Sequence, residues 1–358
     1  MPEEPITAAA ADLTLADLGE WNLIERLARF APPGQFLDDA ALITTVPGSH
    51  KPELVVNTDV LVENVHFSDR TTGPQDVGWR AAMANLSDLA AMGCPSALGI
   101  TVGLVAPPST PWRWVEGVYE GLQDALRESG GLLLGGDCSS GQERLLAITA
   151  LGQLPDHGGG AIRRGAGQPG DLLLASGAHG LSRLGLALLL QETLPGLDRL
   201  DPAQRKALAA RAITAHRRPR SRFDVVHDLA ASQPANGAWR VAGTDSSDGL
   251  LAAVAAIARA SGCQATLWRH HLPLDPAMAG LDEALAWCLA GGEDFELVLA
   301  LEPSWAEELQ ARVSGSRLIG RLTPAGSAPD PLTWAEDGSA IQATGLGYTH
   351  FQKSPMEG

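Results

Sequence analysis

Aspartates set inside or at the ends of apolar runs limit how this chain can fold more than any other feature of it. Asp38 and Asp39 follow Phe36 and Leu37, Asp59 closes "LVVNTD", and Asp88 sits within "NLSDLAAM". Asp137 ends "LLLGGD", while Asp245 and Asp248 bracket Ser246 and Ser247. A carboxylate beside buried residues needs a compensating partner, because a dry, unpaired charge costs on the order of several kcal/mol. Few Lys or Arg lie near these acids. A hard divalent cation suits them instead: Mg²⁺ prefers oxygen ligands and commonly joins a few carboxylates to substrate phosphates. Any one of these aspartates taken alone reads more simply as a helix cap, an Asx turn or a surface charge. Taken together they point to a cleft that binds a metal-nucleotide. Asp248 also suits a cap on the helix after Gly249, a role compatible with ligation because a carboxylate has several lone pairs.

The chain has 358 residues, 45% of them hydrophobic and 19% charged, enough for two sizeable cores. Its 26 Lys and Arg against 42 Asp and Glu give a net charge of -16, which argues against nucleic acid or an anionic membrane as a partner. No charged start leads into an apolar signal, and Leu181–Leu190 is too short to span a bilayer, so the cytoplasm is the expected compartment. Cys94, Cys138, Cys263 and Cys288 form no CxxC pair and read as reduced thiols.

Periodicity predicts a helix over "LTLADLGEWNLIERLAR", strands in "FLDDAALITT" and "ELVVNTDVLV", and a helix over "DVGWRAAMANLSDLAAMG". A strand in "SALGITVGLVAP", a helix from Trp112 to Ser129, a strand passing into a loop at "GLLLGGDCSS", and a strand in "RLLAITALGQL" follow. The order helix, strand, strand, helix, strand, helix, strand, strand fits an α+β layer, so the fold class is α/β in α+β layers. "DHGGGAIRRGAGQPGD" reads as a crossing between two domains, residues 14–155 and 168–358. The second opens with the strand "DLLLASG" and the helix "GLSRLGLALLLQE", then a polar interval through "DPAQRKALAARAITAHRRPR". There Arg217, Arg218, Arg220 and Arg222 form the only local basic cluster, which reads more simply as solvated helix-end and loop charge than as a phosphate-binding site.

Gly135 and Gly136 before Asp137 would let backbone amides approach a phosphate, although a tight turn explains them equally well. No G-x-x-x-x-G-K-[ST] is present, and no convincing G-x-G-x-x-G follows a strand. His66 and Arg164 are candidates for substrate and anion recognition, each with an ordinary structural reading beside it. Glu293, Asp294 and Glu296 in "GGEDFELVLA" fit ligand recognition or chance acids on an edge strand. No Ser-His-Asp or Cys-His system is identifiable.

Together, "FLDDAAL", "NTDVLVENVHF", "NLSDLAAMGCPSA", "LLLGGDCSS", "RRGAGQPGDLLLASG", "TDSSDGL" and "GGEDFEL" resemble the thiamine-monophosphate kinase family, over about Leu18 to Phe351. The resemblance implies a two-domain fold shared with aminoimidazole ribonucleotide synthetase and a homodimer joined through the sheet of the N-terminal ATP- and Mg²⁺-binding domain. It implies phosphoryl transfer from ATP to thiamine monophosphate, giving thiamine diphosphate and ADP with no protein nucleophile. The implied ligands of several Mg²⁺ ions are Asp38 or Asp39, Thr58, Asp59, Asp88, Asp137, Asp245 and Asp248, with the backbone around Asn57. ATP recognition falls to Gly136, Asp137, Arg164 and Ser247, and acceptor recognition to His66, Glu293 or Asp294, and Tyr348. Two positions depart from the family pattern: Cys138 stands where a Thr is usual, and Asn57 where a Ser is usual. The alternatives are another ATP-dependent synthetase of the same fold class and a catalytically silent acidic nucleotide-binding protein. A selenide-activating member would show a reactive Cys and a nearby Lys, which the residues before Phe36 do not offer, and a hydrogenase-maturation relative would carry a C-terminal cysteine, which "GYTHFQKSPMEG" does not contain.

Overall fold

The strand β2 (Leu54–Val62) runs antiparallel to the short β1 (Ala41–Ile43) and leads into the helix α2 (Pro74–Ala91). After β3 (Ala97–Ala106), α3 (Trp112–Ser129), β4 (Leu132–Ser140) and β5 (Leu145–Gln153), the first sheet is complete in the order β1-β2-β5-β3-β4. In β5, Leu146, Ile148 and Ala150 are buried while the residues between them are half-buried, the alternation of a sheet covered on one face. The cover is α2 and α3. A Cβ at Gly78 would stand 1.9 Å from the carbonyl oxygen of Val118, so the two helices cross with their backbones nearly touching. Among the residues of this computed structural model, 14–44, 54–155, 158–235, 237–326 and 332–341 are described.

The second sheet has the order β11-β8-β10-β6-β9-β7. Its strands are β6 (Leu172–Ala175), β7 (Ala242–Asp245), β8 (Cys263–Leu267), β9 (Leu297–Leu301), β10 (Arg317–Pro324) and β11 (Leu332–Trp334). β6 and β9 are buried along their whole length, because both faces of the sheet are covered and their residues are continuously apolar. Leu172 and Leu174 join the core shared with α2 and α3, whereas Leu173 and Ala175 face a second core around α7 (Leu250–Ala260). The remaining helices are α4 (Leu181–Leu190), α5 (Pro202–Arg217), α6 (Phe223–Ala231), α8 (Ala284–Ala290) and α9 (Pro303–Arg312).

Both sheets lie in one compact unit, Leu37–Gly347. The first helix, α1 (Leu15–Leu27), belongs to a separate unit, and Thr14 and Asp17 close its N-terminus reciprocally. Two mixed α/β sheets agree with the expected architecture, and the first eight elements follow the expected order.

The interval read only as polar contains the helix α5, opened by Asp201, Pro202 and Gln204 in a capping box. Its arginines are more engaged than solvated charge. Arg217 donates to the carbonyl of Thr71 at 2.7 Å, Arg218 pairs with Asp76 at 2.6 Å, and Arg222 pairs with Glu296 and Asp224. Arg220, which pairs with Glu128, is 73% exposed and fits the solvated reading. All four cysteines are free thiols, and among the described residues no helix is long and apolar enough to cross a membrane.

Candidate active site

Strand alternation decides which residues of "NTD" meet the acids of α2. Asn57 and Asp59 turn toward α2: the Asn57 amide donates to Asp88 Oδ2 at 2.7 Å and to Asn85 Oδ1 at 3.3 Å, and the Asp59 backbone amide donates to Asn85 Oδ1 at 3.0 Å. Thr58 points to the opposite face, where its hydroxyl lies 2.8 Å from that of Thr149. The Thr58 hydroxyl is therefore turned away from the acids.

Asp39, Asp88 and Asp245 come from the loop before β1, from α2 and from the end of β7. Each offers a carboxylate oxygen, and these oxygens lie within 4.8 Å of one another. Ser87 donates to Asp245 Oδ2 at 2.6 Å, while Thr244 and Arg164 donate to Asp39 Oδ1 at 2.7 and 2.5 Å. Asp39 Oδ2 is buried and accepts no hydrogen bond.

Burial pushes Asp39 up to about 6, against the pull of Arg164. Burial and the carboxylates of Asp245, Asp248 and Asp39 push Asp59 up to about 6. Asp88 is raised well above the ordinary range by burial and then by Asp59, Asp245 and Asp39. Asp245 is raised by burial despite its serine donors. The donor set is oxygen-only, crowded and short of positive charge, and it contains an orphaned buried carboxylate oxygen. Those properties fit Mg²⁺.

Asp38 turns away from this cluster. It accepts from the Arg164 backbone amide at 2.9 Å and from Arg163 at 3.1 Å, so Asp39 is the member of the pair that joins the acids. Asp248 acts on Asp59 electrostatically, and Ser247 donates its hydroxyl to Asp245 Oδ1 at 2.9 Å. Arg164, held by Asp39 and by Thr244 at 3.2 Å, brings a guanidinium to the cluster's edge.

Gly136 and Asp137 lie elsewhere on the sheet. β4 is separated from β2 by β5 and β3, three inter-strand steps or about 14 Å. A Cβ on Gly136 would stand 2.0 Å from the Val102 carbonyl oxygen, so this glycine is also required by the pairing of β4 with β3.

His66 accepts the Val62 backbone N–H on Nδ1 at 3.0 Å, so its neutral ring carries the proton on Nε2. Glu293 pairs with Arg80 at 2.5 Å and occupies the left-handed region at φ +64°. Asp294 instead accepts the backbone amides of Gly180 at 2.6 Å and Ser182 at 3.0 Å, capping α4 from a distant loop. Its burial pushes it up to about 7. Glu296 is bound by Arg222 and Ser176, and Tyr348 lies outside the described residues.

Sequence reasoning passed over Asn85, Ser87 and Arg80. Their signal was available: each is a polar residue on the buried side of an Ala- and Leu-rich helix. Asn85 and Asp88 stand three apart and share a helix face.

Residues 37–154 match the family model "AIR synthase related protein, N-terminal domain". The thiamine-monophosphate kinase of Prochlorococcus marinus is 43% identical over 337 residues, 94% of this chain and 97% of that protein. That of Synechococcus elongatus is 44% identical over 345 residues, 95% of this chain and 99% of that one. The solved structure of AaThiL complexed with AMPPCP and TMP superimposes with a TM-score of 0.77 at 27% identity, covering 94% of this chain and 99% of that one.

Proposed function

The chain belongs to the thiamine-monophosphate kinase family, and from that membership we propose that it transfers the γ-phosphoryl group of ATP to the phosphate of thiamine monophosphate, giving thiamine diphosphate and ADP. The observation that carries the reading is the buried oxygen cluster of Asp39, Asp88 and Asp245 in a chain whose relative holds AMPPCP and TMP together. Mg²⁺ held by Asp39, Asp59, Asp88, Asp245 and Asp248, with the backbone of Asn57 and Thr58, supplies the positive charge that offsets repulsion between donor and acceptor phosphates.

The chain's own residues orient and enclose the reactants. Asn85 and Asn57 fix the β2 backbone against Asp88, and Ser87 and Ser247 fix Asp245. Arg164 extends its guanidinium toward the polyphosphate and stabilises charge as it redistributes. His66, presenting Nε2–H, and Glu293 recognise the acceptor. The acceptor phosphate is already anionic near neutral pH, so no general base is needed. Direct attack also leaves each aspartate free of a nucleophilic role.

Gly136 and Asp137 enter through a homodimer. β4 is an edge strand exposed along its whole length, with Leu132, Leu133 and Leu134 at 66%, 39% and 52% exposure. An uncovered apolar edge of this kind favours association, and a symmetric dimer is the commonest way to cover it. Asp137 then serves a nucleotide across that interface, since its strand stands well away from the carboxylate cluster of its own chain. On this reading residues 14–155 carry ATP, metal and the dimer contact, and residues 168–358 complete the clefts.

Incubation of the purified protein with Mg²⁺, ATP and either thiamine monophosphate or thiamine tests the function. The expected result is thiamine diphosphate and ADP in equal amounts from the monophosphate alone. Diphosphate from free thiamine, or no diphosphate at all, contradicts it.

A further inference from the structure

Among the described residues, Arg80 is the only lysine or arginine that is buried, with 3% of its side chain exposed. It sits on α2, upstream of Asn85 and Asp88. Its guanidinium reaches acceptors from three separate segments: the carbonyl of His66 at 3.3 Å in the loop between β2 and α2, the carbonyl of His216 near the end of α5, and Glu293 Oε1 at 2.5 Å. In this fork Nη2 donates to both the His66 carbonyl and Glu293 Oε1 while Nη1 donates to the His216 carbonyl, and lysine, with all its donors on one nitrogen, cannot hold the Nη2 pair and the Nη1 contact together.

The third of these contacts holds an unusual backbone. Glu293 lies at φ +64°, a conformation that costs a side-chain-bearing residue free energy and persists only where its surroundings over-determine it. Two contacts do so: the Arg80 ion pair, and a hydrogen bond of 2.6 Å from the Glu293 amide to the Ser247 carbonyl. His216, with Nδ1 3.7 Å from Glu293 Oε2, supplies no charge, because burial and then Arg80 push its pKa down to about 3. Arg80 is therefore the cation that fixes the Glu293 side chain, while Ser247 ties the same residue to the segment carrying Asp245 and Asp248.

We propose that Arg80 is a positioning residue for the phosphoryl acceptor: by gripping the His66 carbonyl and the Glu293 carboxylate together, it holds both recognition groups in register with the Asp245–Asp248 segment. This rests on the kinase reading above and assigns Arg80 no contact with substrate. A purely structural buried arginine would weaken folding without distinguishing the two substrates, whereas a positioning residue acts on one of them.

The test compares R80K, R80M, E293Q and R80M/E293Q with the full-length wild type, after circular dichroism has established folding. KM is measured separately for thiamine monophosphate and for ATP. In R80K the charge stays paired, so folding is retained while the fork is lost; the acceptor KM rises about tenfold or more and the ATP KM stays within about twofold. R80M shows the same split, and the double variant is no worse for the acceptor than R80M alone, because both changes break one link. An unchanged acceptor KM in folded R80K, equal rises for both substrates, or additive effects in the double variant overturn the proposal. A wild type that forms no thiamine diphosphate overturns the kinase reading itself and this proposal with it, so the two failures are distinguishable.

Discussion

At Asp59 the requirements of folding and of phosphate chemistry oppose each other. Burial and three neighbouring carboxylates raise it to about 6, and no hydrogen bond lowers it. A raised folded-state acid contributes stability below its unfolded pKa and loses it as pH rises through the folded value. Asp59→Asn is therefore expected to stabilise the metal-free protein at pH 8 by about 1–3 kcal/mol, from a shift of about two pKa units at ~1.4 kcal/mol each. The same change should lower turnover about 100-fold or more, from the loss of one metal-facing charge. Thermal melts in chelator and steady-state rates check both, and a variant that melts lower or turns over normally contradicts the assignment. The sequence placed Asp39, Asp59, Asp88, Asp245 and Asp248 as candidates because acids in apolar runs need a partner. It left Asp38 and Asp39 equal, since neighbours in a loop have no periodicity to separate them; Arg163 and the Arg164 amide, far along the chain, capture Asp38. It also missed Arg80, whose acceptors His216 and Glu293 are 136 and 213 residues away.

Helix α4 begins at a left-handed Gly180 with no cap from its own segment, and Asp294 supplies the missing acceptor. Because burial lifts Asp294 to about 7, its contribution is fully present below about pH 4 and lost as pH rises through 7. Relative to Asp294→Asn, the wild type should melt progressively lower between pH 5 and pH 8.5; a pH-independent difference contradicts this. The exposed β4 edge leads to a second expectation at this scale. Leu134→Glu should shift the protein from dimer to monomer in light scattering, and a dimer that persists across micromolar concentrations contradicts the edge assignment. Helix α2 was legible through its 3.6-residue period, and strands such as β2 and β6 through their runs of apolar and β-branched residues. Helix α5 was not, because its buried positions are only Leu208, Ala212 and His216, a stripe too narrow to stand out among arginines and alanines. Its N-terminal signal, Asp201-Pro202 followed by Gln204, was present and outweighed by the polar composition.

Across the whole molecule, a net charge of -16 and a cluster of carboxylates whose pKa values burial and mutual repulsion push up describe a chain that is poised for cations. Metal binding must displace any protons they carry, so Mg²⁺ should raise the melting temperature more at pH 8 than at pH 5.5, where protons compete for Asp39 and Asp59. Equal shifts at both pH values would argue that the metal binds elsewhere. The α+β layering of the first sheet was legible from element order, whereas the convergence of Asp39, Asp88 and Asp245 depends on long-range packing that no local pattern encodes. The central claim is that this acid-walled site brings the two phosphates together for a single in-line displacement, with no phosphorylated protein between them. ATP made chiral at its γ-phosphorus by oxygen isotopes tests it most directly, by reading the configuration of the terminal phosphate in the thiamine diphosphate formed. Inversion is the predicted result, and retention, the signature of two successive displacements through a protein-bound phosphoryl group, would contradict it.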